Sequence, residues 1–168
     1  INEPHLNLAQ IFYETATFEK GDTKLFEEIY WEQCLERMAV YEGVYEAIEA
    51  LYAQRWVMSV ATNASTKFAQ KILEHVKLAP FFKAIVGADK VSHPKPSEEI
   101  LHHVAQMSGT LLGAQYDVMI GDGIKDMVSA KNGGVTSIHV TWGYSSLKEG
   151  FDYQCSSPKM LKELLNTI

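Results

Sequence analysis

The sequence predicts an α/β fold in which a mainly parallel sheet lies between flanking helices, preceded by a short all-helical region. Three observations carry this. From about residue 41 onward, apolar runs of strand length alternate with amphipathic stretches of helical length, the pattern of βα units. Gly and Pro punctuate the junctions, as chain reversals require. Before residue 41 the apolar residues recur at helical spacing and no strand is evident. With 46% hydrophobic residues in 168, the chain can bury a sizeable core. The predicted organisation is therefore a helical region over residues 1–40 and an α/β region over 41–168.

In the first region Leu6, Leu8, Ile11 and Phe12 share a helical face. Glu19-Lys20-Gly21-Asp22 reads as a turn, after which Thr23 can cap a helix holding Leu25, Phe26, Ile29, Tyr30 and Cys34. In the second region residues 43–54 form an amphipathic helix with Val44, Ala47, Ile48 and Leu51 on one face. Residues 56–61 are a short apolar run rich in β-formers, expected to be a buried strand. A helix over 65–76, a strand over 84–86, a helix over 97–107, a strand over 118–120 and a helix over 124–132 come next. Gly133-Gly134 supplies the left-handed cap that ends this last helix. Residues 136–140 are a fourth strand, and Ser157-Pro158 starts a closing helix that runs through Leu165.

Composition narrows the function. The formal net charge is −6, from 15 basic and 21 acidic residues, with no Lys/Arg cluster. A nucleic-acid partner is therefore not expected, since phosphate backbones demand a positive surface. No apolar stretch approaches the roughly 20 residues of a membrane span, and no signal peptide is visible. The two cysteines, Cys34 and Cys155, fit no zinc spacing and read as reduced thiols. These features together predict a cytoplasmic protein. Because the first residue is Ile1 rather than Met, the natural chain is expected to begin upstream.

In a parallel sheet, ligands bind beyond the carboxyl ends of the strands. Three loops there carry chemistry. Thr62-Asn63-Ala64-Ser65 places a hydroxyl and an amide before a helix start, suited to an anion; equally, Thr62 or Asn63 can be a simple helix cap. Val91-Ser92-His93-Pro94-Lys95-Pro96 brackets Lys95 with two prolines. Their stiffness presents the amine as a point charge for phosphate, or merely makes a surface proline turn. Gly121-Asp122-Gly123-Ile124-Lys125-Asp126 puts two acids one helical turn apart. Such hard oxygen ligands suit Mg²⁺, and the flanking glycines allow close approach. The competing reading is an Asp cap with a first-turn acid.

Taken in order, these motifs resemble the haloacid dehalogenase (HAD) superfamily, and closely its phosphoglycolate-phosphatase-like branch, over roughly residues 41–145. Ser59-Val60-Ala61-Thr62-Asn63 resembles the second family motif. His93-Pro94-Lys95-Pro96 with Glu99-Ile100-Leu101 resembles the third, whose lysine neutralises the phosphoryl aspartate. Met119-Ile120-Gly121-Asp122 through Asp126, then Ala130-Lys131-Asn132-Gly133-Gly134-Val135, resembles the fourth. Thr141-Trp142-Gly143-Tyr144 resembles the loop that ends the last core strand, and Tyr41-Glu42-Gly43-Val44 the entry into the core after a helical cap.

The resemblance implies a Rossmann-like core, with residues 1–40 as the remnant of a cap. It implies a Mg²⁺-dependent phosphomonoester hydrolase acting on a small phosphorylated metabolite. Asp122 and Asp126 would serve the metal, Lys95 and Thr62 would be catalytic, and Thr62, Asn63 and Lys95 would bind substrate.

One departure is large. The family's first motif is an apolar strand ending in Asp-x-Asp, whose first Asp is the nucleophile and second the general acid and base. It is missing from these 168 residues: Gly21-Asp22-Thr23 lacks a strand and a second Asp, Asp117 enters the metal-loop strand, and Asp152 has no partner acid. In the family that strand lies between those preceding Thr62 and Asp122. Its removal opens a gap of about two strand spacings of ~4.8 Å. The unpaired backbone groups would cost roughly 1–3 kcal/mol each, against a net stability of about 5–15 kcal/mol. An N-terminal strand upstream of Ile1 is therefore expected, and the chain without it is expected to be inactive. The alternatives are a HAD-like pseudoenzyme that binds phosphate or metal without catalysis, and a phosphomutase of the same branch. His102-His103 face different ways on a helix and read as surface; Trp31, Trp56 and Trp142 read as packing, and His93 as a loop residue. The substrate and the oligomeric state stay open.

Overall fold

The computed structural model describes Trp31, Leu35 and residues 38–113 and 116–168. The helices expected before residue 38, and Cys34 with them, lie otherwise outside those residues. The chain divides after Met38 into two units, of which Ala39–Ile168 holds the elements below. They are α1 (Val44–Ala53), β1 (Met58–Ala61), α2 (Thr66–His75), β2 (Phe82–Val86), α3 (Glu99–Ser108), β3 (Val118–Gly121), α4 (Ile124–Gly133), β4 (Thr136–Val140), β5 (Tyr153–Cys155) and α5 (Pro158–Leu165). Single 3₁₀ turns, Ala79–Phe81 and Ala88–Lys90, flank β2.

Local chemistry explains most boundaries. Ala47 and Leu51, one turn apart, are the buried face of α1. That helix ends through Arg55, whose φ of 67° is left-handed, while the Trp56 N–H donates to the Leu51 carbonyl at 3.1 Å. Trp56 is thereby tied to the helix end, so β1 starts at Met58 and not at 56 as the apolar run predicts. Gly134 ends α4 in the left-handed region (φ 67°), and Val135 N–H then reaches back to the Ala130 carbonyl, a glycine cap of the expected kind. Pro158 occupies the first turn of α5 after Ser157.

All strand pairs are parallel, but they form two ladders: β1 with β2, and β3–β4–β5. No ladder joins β1 to β3. Burial follows the same division. Every residue of β1 and β3 is only half-buried, whereas β4, with a strand on each side, is buried from Ser137 to Val140. Side chains do cross the division. Met58 from β1 and Val118 and Ile120 from β3 pack on the cluster of Leu51, Ile138, Val140, Cys155, Leu161 and Leu165. Ala61 and Met119 pack on the second cluster, built on Val86, Ile100, Leu101, Ala130 and Val135. Alternate residues of β3 thus enter opposite clusters, as strand geometry requires, with α1 and α5 contributing to one and α3 and α4 to the other.

β5 is absent from the sequence prediction. Only Cys155 of its three residues is buried, so it carries no alternating or continuous apolar signal. Asp152 secures it: Ser137 donates to Asp152 Oδ2 from its N–H (2.8 Å) and its hydroxyl (2.6 Å). Those bonds, the hydroxyl's first, hold the Asp152 carboxyl below its usual value. Cys155 is a free, buried thiol, and burial raises its pKa. Trp56 and Trp142 pack on the first cluster, and Trp31 is 42% exposed. No helix among the described residues is long and apolar enough to cross a membrane.

Candidate functional site

Because the strands are parallel, Thr62, Lys95 and Asp122 all lie in the loops after strand carboxyl ends, following β1, β2 and β3. The centre of the cluster is the Lys95 ammonium. It donates to Asp126 Oδ1 at 2.7 Å and to the Ala61 carbonyl at 2.7 Å. The Lys95 and Asp126 side chains keep only 10% and 13% of their exposure, so the ion pair is well shielded. Ala61 ends β1 and Asp126 belongs to α4, which follows β3. Lys95 therefore bridges the two ladders at the end where the loops gather.

The loop that presents Lys95 is clamped from three sides. Asn63 uses both ends of its amide on the Lys95 backbone, donating to the carbonyl (2.8 Å) and accepting from the N–H (3.0 Å). Ser129 and Asn132 of α4 donate to the carbonyls of Ser97 and Pro96. Glu99 accepts from the N–H groups of Ser92 and His93 and pairs with the His93 ring at 2.9 Å. The Lys95–Pro96 peptide is cis. His93 is thus part of the loop's own bonding, with its ring mostly in solvent.

Glu99 is held below the usual glutamate range, first by the Ser92 N–H and then by His93. A depressed folded pKa gives stability that is present above the unfolded value and lost as pH falls through the folded one. Glu99→Gln is therefore expected to lower the melting temperature at neutral pH. Its difference from wild type should shrink once pH drops below about 4.3, the ordinary glutamate value, and vanish at lower pH. Melting curves of the two proteins from pH 7 to pH 2 check this; a constant difference would contradict it.

The Thr62 loop is fixed by a neighbour 23 residues beyond the start of α2. Asp89 Oδ1 accepts from the N–H and the hydroxyl of Thr66, filling the amino end of that helix. Partial burial works to raise the Asp89 pKa, but the Thr66 bonds outweigh it and the carboxyl sits low. Ser65 occupies the cap position without a capping bond, and the Thr62 hydroxyl accepts from the Ala64 N–H at 3.1 Å. Neither Thr62 nor Asn63 caps α2: an acid from another loop does so. Gly87 N–H also donates to the Thr66 hydroxyl, and a Cβ on Gly87 would overlap the backbone of residues 64–66.

The two acids of the third loop point to different partners. Asp126 Oδ2 accepts from Gly123 N–H at 3.1 Å, while Oδ1 takes Lys95. Asp122 Oδ2 accepts from the N–H groups of Tyr144 (2.7 Å) and Ser145 (3.3 Å). No hydrogen bond links Asp122 to Asp126 or to Lys95 among the described residues. Nor do three His, Cys, Asp or Glu side chains there converge in a metal-type cluster, His102 and His103 included. Sequence reasoning gave no role to Asp89, Ser129 or the Gly143–Ser145 backbone. Glu99 and Asn132 stood inside motifs without a function attached. Their one signal was proximity to Lys95 in the chain, or a place on the helix after Asp122.

Residues 4–140 match the model of the haloacid dehalogenase-like hydrolase family, and the chain belongs to that family. Its similarity within the family runs to the phosphoglycolate-phosphatase-like branch. It is 33% identical over 121 residues to a phosphoglycolate phosphatase of Caulobacter vibrioides, covering 71% of this chain and 50% of that one. To the phosphoglycolate phosphatase of Escherichia coli K12 it is 29% identical over 145 residues, covering 86% and 56%. The chain spans about half the length of the curated relatives it matches. In fold it is similar to a HAD-superfamily hydrolase, subfamily IA, variant 1, from Geobacter sulfurreducens, with a TM-score of 0.75 at 24% identity, covering 96% of this chain and 74% of that one.

Proposed function

We propose that this chain is the phosphate- and metal-holding part of a Mg²⁺-dependent phosphomonoester hydrolase that acts on a small phosphorylated metabolite. The observation that carries the reading is the position of the Lys95 ammonium, shielded and shared between the end of β1 and α4. A cation there neutralises negative charge arriving between the two ladders. A further strand between β1 and β3, ending in Asp-x-Asp, gives each of those edges its second partner. It also delivers a nucleophilic carboxylate beside Lys95. That strand is proposed to come from a segment upstream of Ile1. The break in the ladder between β1 and β3, with both strands only half-buried, supports it.

Within this reading Lys95 holds a phosphoryl oxygen and offsets the charge of the upstream aspartate, which attacks phosphorus in line as the alcohol leaves with a proton from the second Asp of that motif; water then cleaves the aspartyl-phosphate and releases phosphate. The Thr62 hydroxyl, which accepts from Ala64 N–H, donates a hydrogen bond to a second phosphoryl oxygen. Asn63 binds the same edge and fixes Lys95 through its backbone. Asp122 and Asp126 supply hard oxygen ligands, a donor set that fits Mg²⁺, which takes one or two carboxylates with waters and phosphate oxygens. When bound, the metal neutralises charge developing on the phosphoryl group.

The test is phosphate release from p-nitrophenyl phosphate by the whole gene product, with and without Mg²⁺. Expected is turnover that depends on Mg²⁺ and disappears when the 168 residues are used alone. A whole product that carries an upstream Asp-x-Asp and releases no phosphate from aryl or sugar phosphates would refute the reading. A product without such a motif that binds phosphate would favour the pseudoenzyme.

A further inference from the structure

The loop after β4 has no assigned role, yet it makes the only hydrogen bonds to Asp122 among the described residues. It is anchored before it arrives there. Thr141 N–H donates to the Cys155 carbonyl at 3.1 Å and its hydroxyl to the Ser156 carbonyl, and Trp142 packs on the first core cluster. The next three residues then cross the end of β3. A Cβ on Gly143 would overlap the Cβ, Cγ and Oδ2 of Asp122, so only glycine lets the backbone lie this close. Tyr144 and Ser145 aim their N–H groups at Oδ2, and Oδ1 accepts no hydrogen bond among the described residues. The Tyr144 residue is 97% exposed; its ring is unpacked, and the one side-chain interaction it makes among the described residues is with Tyr41.

We propose that the Gly143–Ser145 backbone is the positioning element for Asp122. It occupies one carboxylate oxygen and presents the other as a single-oxygen ligand to a divalent cation. This rests on the metal role given to Asp122 above. Two N–H donors on one oxygen lock the side-chain torsion. They also block the two-oxygen binding that larger cations favour, which tilts the site toward a small octahedral ion. Outer partners of this kind commonly set 10- to 100-fold of metal affinity.

The test uses Mn²⁺ alone as probe, its free concentration read by electron paramagnetic resonance, on the metal-free whole gene product and its variants. Gly143→Ala pushes Asp122 aside, and Tyr144→Pro removes the stronger donor without adding atoms at Gly143. Both are expected to weaken Mn²⁺ binding about tenfold or more. Tyr144→Ala, which keeps the N–H, is expected to bind like wild type. Circular dichroism melts of the metal-free variants identify any that fail to fold, and the other member of the pair then decides. Asp122→Asn separates this inference from the metal reading itself. If Asp122→Asn abolishes binding while the folded Gly143→Ala or Tyr144→Pro protein binds normally, the positioning role is wrong and the metal reading stands. If wild type and Asp122→Asn bind alike, both fall. Equal losses from Tyr144→Ala and Tyr144→Pro would assign the effect to the ring and overturn the proposal.

Discussion

Lys95→Ala is expected to cut phosphate release by the whole gene product at least about 100-fold and to destabilise the fold by about 3 kcal/mol. Both effects come from one atom. The ammonium serves the Asp126 carboxylate and the Ala61 carbonyl at 2.7 Å each, in a place where the two charged side chains are nearly shut off from water. Removing it strands a shielded carboxylate with only the Gly123 N–H for company. A carboxylate left so must recover water, by opening the loop, or take up a proton. The bond from Lys95 to Asp126 also ties the loop after β2 to the helix after β3, and so joins the β1 side to the β3 side of the unit; its loss loosens the cluster at its centre. Lys95→Arg is not a rescue, because a planar fork does not fit a point held by one carbonyl and one carboxylate oxygen. Lys95→Met with Asp126→Asn removes both charges together. It should recover much of the stability and none of the activity, since the stability loss is the cost of an unpaired charge and the activity loss is the missing cation. Urea melts and phosphate release on the three proteins check this. A single variant as stable and as active as wild type would remove Lys95 from the centre of the site.

The chain order of strands and helices is legible in the sequence because β1 and β3 send apolar side chains into both core clusters and β4 is buried from Ser137 to Val140. Strands so placed read as continuous apolar runs, and helical periodicity succeeds each of them. The candidate loops are legible for a related reason. A parallel sheet sends every strand's carboxyl end to one side, so Thr62, Lys95 and Asp122 stand out as the polar residues at the ends of successive apolar runs. The local sequence does not reveal which loop touches which. Asn63 grips Lys95 from 32 residues away and Asp89 fills the end of α2 from 23 away. Nothing in the composition of either segment announces these pairings, because they depend on strand order. The same holds for the acids. One helical turn between Asp122 and Asp126 suggests that their carboxylates meet. In the fold, Asp122 leaves from the end of a strand rather than from the helix, so helical spacing does not set its direction. The β4 loop takes it instead, and Lys95 takes Asp126. β5 stays invisible because its pairing rests on backbone bonds and on Asp152, and backbone bonds carry no side-chain signature.

Gly121→Ala is expected to be as damaging as loss of the lysine, for the opposite reason: it adds an atom where there is no room. The sequence suggests that the glycines beside Asp122 allow a metal to approach. The structure gives Gly121 a nearer tenant, since a Cβ there would overlap the Cβ, Cγ and Oδ2 of Asp126. Neither side can give way cheaply. Gly121 is laddered to His139 at the end of β3, and α4 is held by Met127 and Ala130, which are 1% and 0% exposed. The side chain of Asp126 must therefore swing off, giving up Gly123 N–H and the Lys95 ammonium together. Overpacking costs about 1–3 kcal/mol, and the broken pair adds to it, so a total of about 3 kcal/mol or more is expected. Gly123→Ala is the matched control. A Cβ at Gly123 would lie 3.4 Å from the same Oδ2, and its φ of −102° is open to any residue, so the expected cost is about 1 kcal/mol or less. Thermal melts of the two alanine variants separate the explanations. A large loss at 121 with little at 123 means that the room is needed for Asp126 itself, whereas equal losses would mean that the loop needs two flexible glycines and that the carboxylate's place is incidental.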